Sequence, residues 1–388
     1  MTLFSYIIKE LIFPFILATG VISSILMMDQ IYKFIPFFKA SGVEIKVLFL
    51  MVIFSMPTIL MIASPISLMI AVYVGIHRVS ADSEVIAMRA SGVSLAFLLK
   101  PVFSLSFLVS LFVLLQSFYL SPTGVSQLED LKFNILKNQT KINLSVQKVT
   151  NFFDQKMIYI FDQQDDEYKD LFITDWDQHE GSSVIEAKSG VIHFDENNKK
   201  IFFIMENGKI HSTQNPNRFR LVHFNRLQYD LASPDTDKSR LPTRYQNSGE
   251  TKNKLDLEMT QGELYENITR VKDSNKKAYL EYVDEFHGRI VTVLSCFSFA
   301  IFALPMGIID PRNPKTAKFV SMIVMMIIYY SIFSKARSMF VDGKAYAISL
   351  YFPLLLAIAI GYINFYKIYH DLSSYREWFL IKIRKNKN

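Results

Sequence analysis

Glu84 sits in the stretch Ser80 to Ser94, SADSEVIAMRASGVS, with Asp82 just before it and Arg89 a little over one turn after it. Carboxylates and a guanidinium at that spacing can pair with charges on another surface. The stretch reads as a short helix. Ser80 or Asp82 can cap its start, because a short oxygen side chain accepts bonds from the orphan N–H groups of the first turn. Glu84 then lies where a negative charge suits the helix dipole. Val85, Met88 and, less strictly, Ile86 form an apolar edge, and Gly92 offers a left-handed stop. Two readings stay open: an ordinary loop between two apolar segments, or an amphipathic helix that transmits force to a soluble partner.

Two further charged points interrupt apolar sequence. Asp29, Gln30 and Lys33 fall close together inside a segment otherwise apolar through Phe38. A charge at the centre of a membrane helix costs roughly 2.5–3.5 kcal/mol, and the cost falls near the helix end, where lysine reaches the headgroups. An Asp29–Lys33 pair one turn apart fits this pattern; so does a polar point facing a substrate head group. Lys335 and Arg337 stand near the end of another apolar run.

Much other chemistry is missing. Cys296 is the one cysteine, so no disulfide framework and no Cys/His metal cluster can form within the chain. The seven histidines make no H-E-x-x-H pattern. Gly208-Lys209 and Gly343-Lys344 lack the rest of a phosphate-binding loop, and no G-x-S-x-G elbow occurs. Asp29 is the one carboxylate placed as proton-coupled carriers need. A membrane protein that moves something with neither engine must draw its energy from a partner, which points back to Glu84.

The elements that position these residues are mostly membrane spans. Half of the 388 residues are hydrophobic, the profile of a membrane protein with a sizeable soluble part. Leu3, Phe4, Ile7, Ile8 and Leu11 share one helical face, which can lie in the interface before the chain turns into the bilayer. Leu11 to Met28 is long enough to cross, and no cleavage site of a signal peptide follows it. A second span covers about Val47 to Ile76 with Pro57 and Pro65 inside, and a third covers Leu95 to Leu120 with Ser121-Pro122 as its stop. Later spans cover about Ile290–Ile309, Phe319–Phe340 and Ala345–Tyr366.

Between the third and fourth spans the pattern alternates. Strands are expected at Val146–Phe153, Met157–Asp162, Leu171–Asp175, Ser183–Ala187, Val191–Phe194, Ile201–Glu206, Gly208–Ser212 and Arg220–Asp230, with hairpin signals at Asp195-Glu196-Asn197-Asn198 and Glu206-Asn207-Gly208. Many short strands at this spacing imply an antiparallel sandwich or jelly roll. Its aromatics, Phe161 and Phe203 among them, either line an apolar trough between two sheets or fill the core. Ser233 to Leu255 reads as a linker, and Thr260-x-x-Glu263 as a capping box that opens a helix. The fold class is therefore a six-span α-helical membrane protein with an inserted antiparallel β jelly-roll-like domain. Residues 1–122 hold three spans and the helix at 80–94, 123–257 the β domain, and 258–388 a connecting helix, three spans and a basic tail.

Lys and Arg fix the orientation. The tail, the Arg312–Lys318 connector, Arg78 and Arg89 share one side, which the positive-inside rule makes cytoplasmic. Lys39 and Lys46 weaken that bias without reversing it. Both termini are then inside and the β domain outside, which in a bacterium with two membranes is the periplasm.

Over nearly its whole length the chain resembles the LptF/LptG permeases of the lipopolysaccharide-export ABC transporter. The resemblance rests on the order of spans and strands and on two motifs. One is Ala81 to Ser94, similar to that family's coupling helix. The other is Glu285-Phe286-His287-Gly288-Arg289, followed by Ala303-Leu304-Pro305-Met306-Gly307 and Asp310-Pro311-Arg312. The family often has a glycine-plus-basic pair after that arginine, where this chain has Asn313-Pro314-Lys315. The D-S-E and D-P-R forms look more like LptF than LptG. The resemblance implies a non-catalytic inner-membrane subunit that binds no cofactor itself, with ATP and Mg²⁺ used by a separate ATPase. It implies an LptG-like second permease, an LptB-like ATPase dimer, an LptC/LptA-like periplasmic bridge and lipopolysaccharide as partners, and no nucleic acid. Carried over by position, Glu84 would pair with the ATPase, flanked by Asp82, Met88 and Arg89. Asp29 and Lys33 would face the lipid head group, Lys335 and Arg337 would lie at a lateral gate, and Phe161 and Phe203 in an acyl-chain trough. A relative exporting another lipid, or a membrane-anchored sensor with an external binding domain, would share the same architecture.

Physical chemistry sets the terms of such a task. Each methylene moved from bilayer to water costs about 0.8 kcal/mol, so exposing a lipid with several chains would cost on the order of 40 kcal/mol. The lipid must leave sideways and keep apolar contact throughout, and six spans make half of a cavity able to do so.

Overall fold

The computed structural model describes residues 3–41, 45–143, 146–147, 149–152, 156–164, 167–177, 181–195, 200–215, 218–230, 256–272, 275–309 and 317–370. Among them, six helical stretches are long and apolar enough to cross a membrane. The first is α1 (Leu3–Ser41), one continuous helix in which Ile7 and Leu11 are fully buried; the entry segment is part of the span. The second is α2 (Ile45–Ala81), which passes through Pro57 and Pro65 without interruption. A short helix, α3 (Glu84–Ala90), and a 3₁₀ turn (Leu95–Leu98) lead to α4 (Leu99–Leu115).

The third span does not stop at Ser121-Pro122. A π turn at Gln116–Leu120 leads straight into α5 (Ser121–Asn143). The widened turn re-registers the backbone ladder ahead of Pro122, so its missing N–H does not break the helix. Residues 123–143, expected to begin the alternating region, are helical. Leu128, Leu131 and Ile135 recur at helical spacing and pack with Phe34 and Met51.

After the β domain come α6 (Gln261–Val271), α7 (Lys276–Gly307), α8 (Ala317–Val341), a 3₁₀ turn (Ala347–Tyr351) and α9 (Phe352–Tyr369). The capping box is present: the Thr260 N–H donates to Glu263 at 2.8 Å, and the Glu263 N–H donates back to the Thr260 hydroxyl. Asn275 caps α7 by accepting from the N–H groups of Lys277 and Ala278.

The chain divides into two compact units, 1–28 with 56–124 and 256–388, and 29–55 with 125–255. The first has an apolar core in which Val72, Ile76, Phe299, Ala303, Tyr329 and Leu350 are buried together. Small residues let its helices close: a Cβ on Gly307 would lie 2.8 Å from the Ile76 Cβ and 2.9 Å from the Tyr73 carbonyl oxygen.

The second unit holds one antiparallel sheet in chain order: β1 (Val149–Phe152), β2 (Lys156–Gln164), β3 (Glu167–Asp177), β4 (Gly181–Asp195), β5 (Lys200–Asn215) and β6 (Arg218–Asp230). Alternate residues Ile158, Ile160, Leu171, Ile173, Ile185, Phe203 and Met205 make one buried face, with Phe133 of α5 packed on it. The eight expected strands are six. Ser183–Ala187 and Val191–Phe194 are both in β4, and Ile201–Glu206 and Gly208–Ser212 both in β5. Glu206-Asn207-Gly208 does not turn the chain. Asn207 takes a left-handed backbone (φ 53), yet Glu206 pairs with Ser189 and Gly208 with Ala187, the same register on both sides. The other hairpin signal lies between strands that pair as a hairpin, Asp195 opposite Lys200, with 196–199 themselves outside the described residues. A six-span protein with an inserted antiparallel β domain is thus the architecture, its described strands forming a single sheet.

Candidate coupling site

The helix α3 is short and sharply bounded. It ends in a Schellman turn: Val93 N–H donates to the Met88 carbonyl at 2.9 Å, Gly92 N–H to the Arg89 carbonyl at 3.0 Å, and Gly92 takes φ 84. Its start differs from the expected cap. Ser83, in a left-handed conformation, precedes Glu84 and makes no side-chain cap bond. Asp82 is exposed, and Ser80 is engaged elsewhere. The Ser80 hydroxyl donates to the Ile309 carbonyl at 2.7 Å and accepts from the Ile309 N–H at 2.9 Å, in a fully buried position. It ties the end of α2 to the residue just beyond α7.

Val85 is buried in the helical core and Met88 packs against it, while Asp82, Ile86 and Arg89 face outward. Glu84 lies between these faces, and its Oε1 accepts from the Tyr6 hydroxyl at 3.0 Å. One turn further along α1, Glu10 pairs with Arg78 of α2 at 3.1 Å. The α3 helix is therefore held to α1 through Glu84 and to the end of α2 through the Ser83 N–H, which donates to the Ser80 carbonyl at 3.1 Å, and it presents an outward surface with Arg89 on it and Asp82 beside it.

A second constellation lies in the N-terminal half of α7. Asp284, Glu285 and Arg289 are all at most 6% exposed. The Arg289 Nε donates to Glu285 Oε1 at 2.9 Å, and its Nη1 to the Met259 carbonyl at 2.7 Å; Nη2 donates to the carbonyls of Asp256 and Leu257 at 3.2 and 3.4 Å. From α8, Arg337 donates through Nε to Asp284 Oδ2 at 2.7 Å and through Nη2 to Glu285 Oε2 at 2.9 Å. Glu285 thus bridges both arginines. Gly288 faces this pair: a Cβ there would meet the Arg337 guanidinium carbon at 3.4 Å, an ordinary contact. Burial, and then the charge of Glu285, push the Asp256 carboxyl up to about 6.

The remaining sequence-predicted residues are distributed as follows. Asp29 and Lys33 form an i,i+4 ion pair of 2.7 Å with both side chains more than half exposed. Lys335 and Arg337 part company. Arg337 enters the buried cluster, whereas Lys335 lines an open groove on α8 with Ser331, Ser334 and Ser338. Phe203 is buried in the apolar face of the sheet, and Phe161, 55% exposed, lies on the other face; the sheet does not bring them together. Asp310-Pro311-Arg312 lies outside the described residues. Residue-by-residue reading missed Tyr6, the role of Ser80 and the Asp284–Glu285–Arg289 cluster. The Glu285-x-x-x-Arg289 spacing was a signal for the last; the others depend on contacts distant in sequence.

Comparison with known proteins decides the family. The model of the lipopolysaccharide export system permease LptF/LptG matches residues 5–367. This chain belongs to the LptF/LptG family. An uncharacterized protein of Rickettsia prowazekii (strain Madrid E), RP871, is 25% identical over 384 residues, covering 92% of this chain and 96% of that protein. Membership makes the chain a multi-pass permease subunit of the lipopolysaccharide-export type, a transporter component rather than an enzyme.

Proposed function

We propose that this LptF/LptG-family chain is the LptF-like subunit of an ATP-driven exporter that extracts lipopolysaccharide sideways from the inner membrane. It works with an LptG-like permease and an LptB-like cytoplasmic ATPase dimer, which uses the ATP and Mg²⁺, and it hands the lipid to an LptC/LptA-like bridge. Both termini are cytoplasmic and the β domain is periplasmic. The observation that carries the reading is the seating of α3. Its inner side is tied to α1 by the Tyr6–Glu84 bond and follows directly on the end of α2, where Ser80 holds Ile309; its outer side carries the charged Arg89, with exposed Asp82 just before it. A push on α3 therefore bears on α1 and α2, and through Ser80 on the segment after α7. Glu84 is the carboxylate that meets a basic residue of the ATPase, exchanging its bond from the neutral Tyr6 hydroxyl for an ion pair with a cationic donor.

The test separates docking from local packing. Glu84→Ala abolishes co-purification of the ATPase and lipid export while the chain still inserts. Tyr6→Phe removes the same internal hydrogen bond and keeps the carboxylate, and leaves both intact. Full ATPase recruitment and export by Glu84→Ala would overturn the assignment.

A further inference from the structure

The cluster on α7 joins two things that the chain could have left independent. One is α8, held through Arg337. The other is the segment 256–259, the first described stretch after the β domain, held through three carbonyl oxygens by Arg289. Both grips converge on Glu285. Glu285 and Arg289 are nearly fully buried, and the Arg337 side chain is 35% exposed; at a buried carboxylate a half-broken ion pair is far more costly than a whole one. Arg337 cannot leave Glu285 without leaving Arg289 as that carboxylate's remaining cation and Asp284 facing no cation. Backbone carbonyls, unlike side chains, move only when their segment moves.

We propose that Glu285, Arg289 and Arg337 are positioning residues forming an ionic clasp: α8 parting from α7 loosens the 256–259 segment, and re-closure seats it again. The lipid path at α8 and the chain returning from the β domain thereby change state together. This rests on the permease reading, in which α8 moves during the transport cycle. The physical warrant is one shared carboxylate that holds both arginines at once, one through each oxygen, so that release of either changes the charge balance on the other.

Spin labels at Ser334 on α8 and at Leu257 on the segment, both exposed, each measured against a label at exposed Phe107 on α4, test this in the full transporter with and without ATP and vanadate. In the unaltered chain both distances shift on trapping. In Arg337→Gln the Ser334 distance shifts and the Leu257 distance does not follow; Arg337→Lys, which keeps the charge, restores joint movement. Arg289→Lys, which leaves the α8 pairs in place, broadens the Leu257 distribution alone and serves where Arg337→Gln fails to fold. Movement at Ser334 with Leu257 fixed in the unaltered chain overturns the clasp and leaves the permease reading standing. Movement at neither site overturns the reading of α8 as a moving element, and the clasp with it.

Discussion

At its C-terminal end, α7 meets α2 through Gly307, and Ile309 exchanges two hydrogen bonds with the Ser80 hydroxyl; the groups in these two contacts are neutral, and the Lys318 ammonium donates to the carbonyl of Ile308 beside them. In its N-terminal half, about 33 Å away along the helix, Glu285 and Arg289 bury charges among carboxylates, guanidiniums and carbonyl oxygens. The first arrangement has one geometry. Glycine contact and a doubly used hydroxyl offer no second set of partners, so the joint is rigid. The second holds charges that must stay paired but can re-pair, so it suits a latch. One helix thus carries a fixed joint beside the coupling helix and a breakable one beside α8.

Three substitutions would break or sharpen this contrast. The largest effect is expected from Glu285→Gln, which strips the buried Arg289 of its carboxylate and leaves Arg337 with Asp284 alone. The cost is about 3–5 kcal/mol, read as a steep loss of the folded monomer on thermal unfolding in detergent. Ser80→Ala strands the buried Ile309 N–H and carbonyl and costs about 1–3 kcal/mol. Because the Ser80 hydroxyl and the Ile309 backbone groups are themselves neutral, that loss should vary little between low and high salt and across pH 5 to 8 (about the window in which histidine titrates). The smallest effect is that of Asp256. Its carboxyl holds its proton up to about 6, against 3.8 ordinarily. The folded segment therefore binds this proton more tightly than the unfolded one does. No penalty exists below the ordinary value, and one develops as pH rises through about 6. Protection of the amides over 256–264, taken relative to the intrinsic exchange rate at each pH, should accordingly fall from pH 5 to pH 7 in the unaltered chain and fall less in Asp256→Asn.

What could be read from the sequence follows from the range of the interactions. The spans were legible because about twenty apolar residues in a row have one physical explanation, and the capping box at Thr260 because it is closed within one turn. The helical run 123–143 was missed because Pro122 is a strong local stop, and the π turn that bypasses it leaves no compositional mark. Asn207 misled for a related reason: left-handed backbone usually turns a chain, yet here the ladder continues on both sides of it. At the coupling site, Glu84 and the Gly92 stop are visible in sequence, whereas Ser80 reads, with Asp82, as one of two possible caps because its partner, Ile309, is 229 positions away. In sequence, Lys335 and Arg337 read together as charges near a span end. The partners of Arg337 are on another helix, so nothing near it in the chain announced a cluster.

The most direct test of the permease account is site-specific photo-crosslinking from exposed Phe161 in the β domain, in vesicles carrying the whole transporter and lipopolysaccharide. The account predicts crosslinks to the glycolipid that need ATP and disappear in Glu84→Ala. Crosslinks to protein alone, unchanged by ATP or by that substitution, would contradict it and make the β domain a docking module.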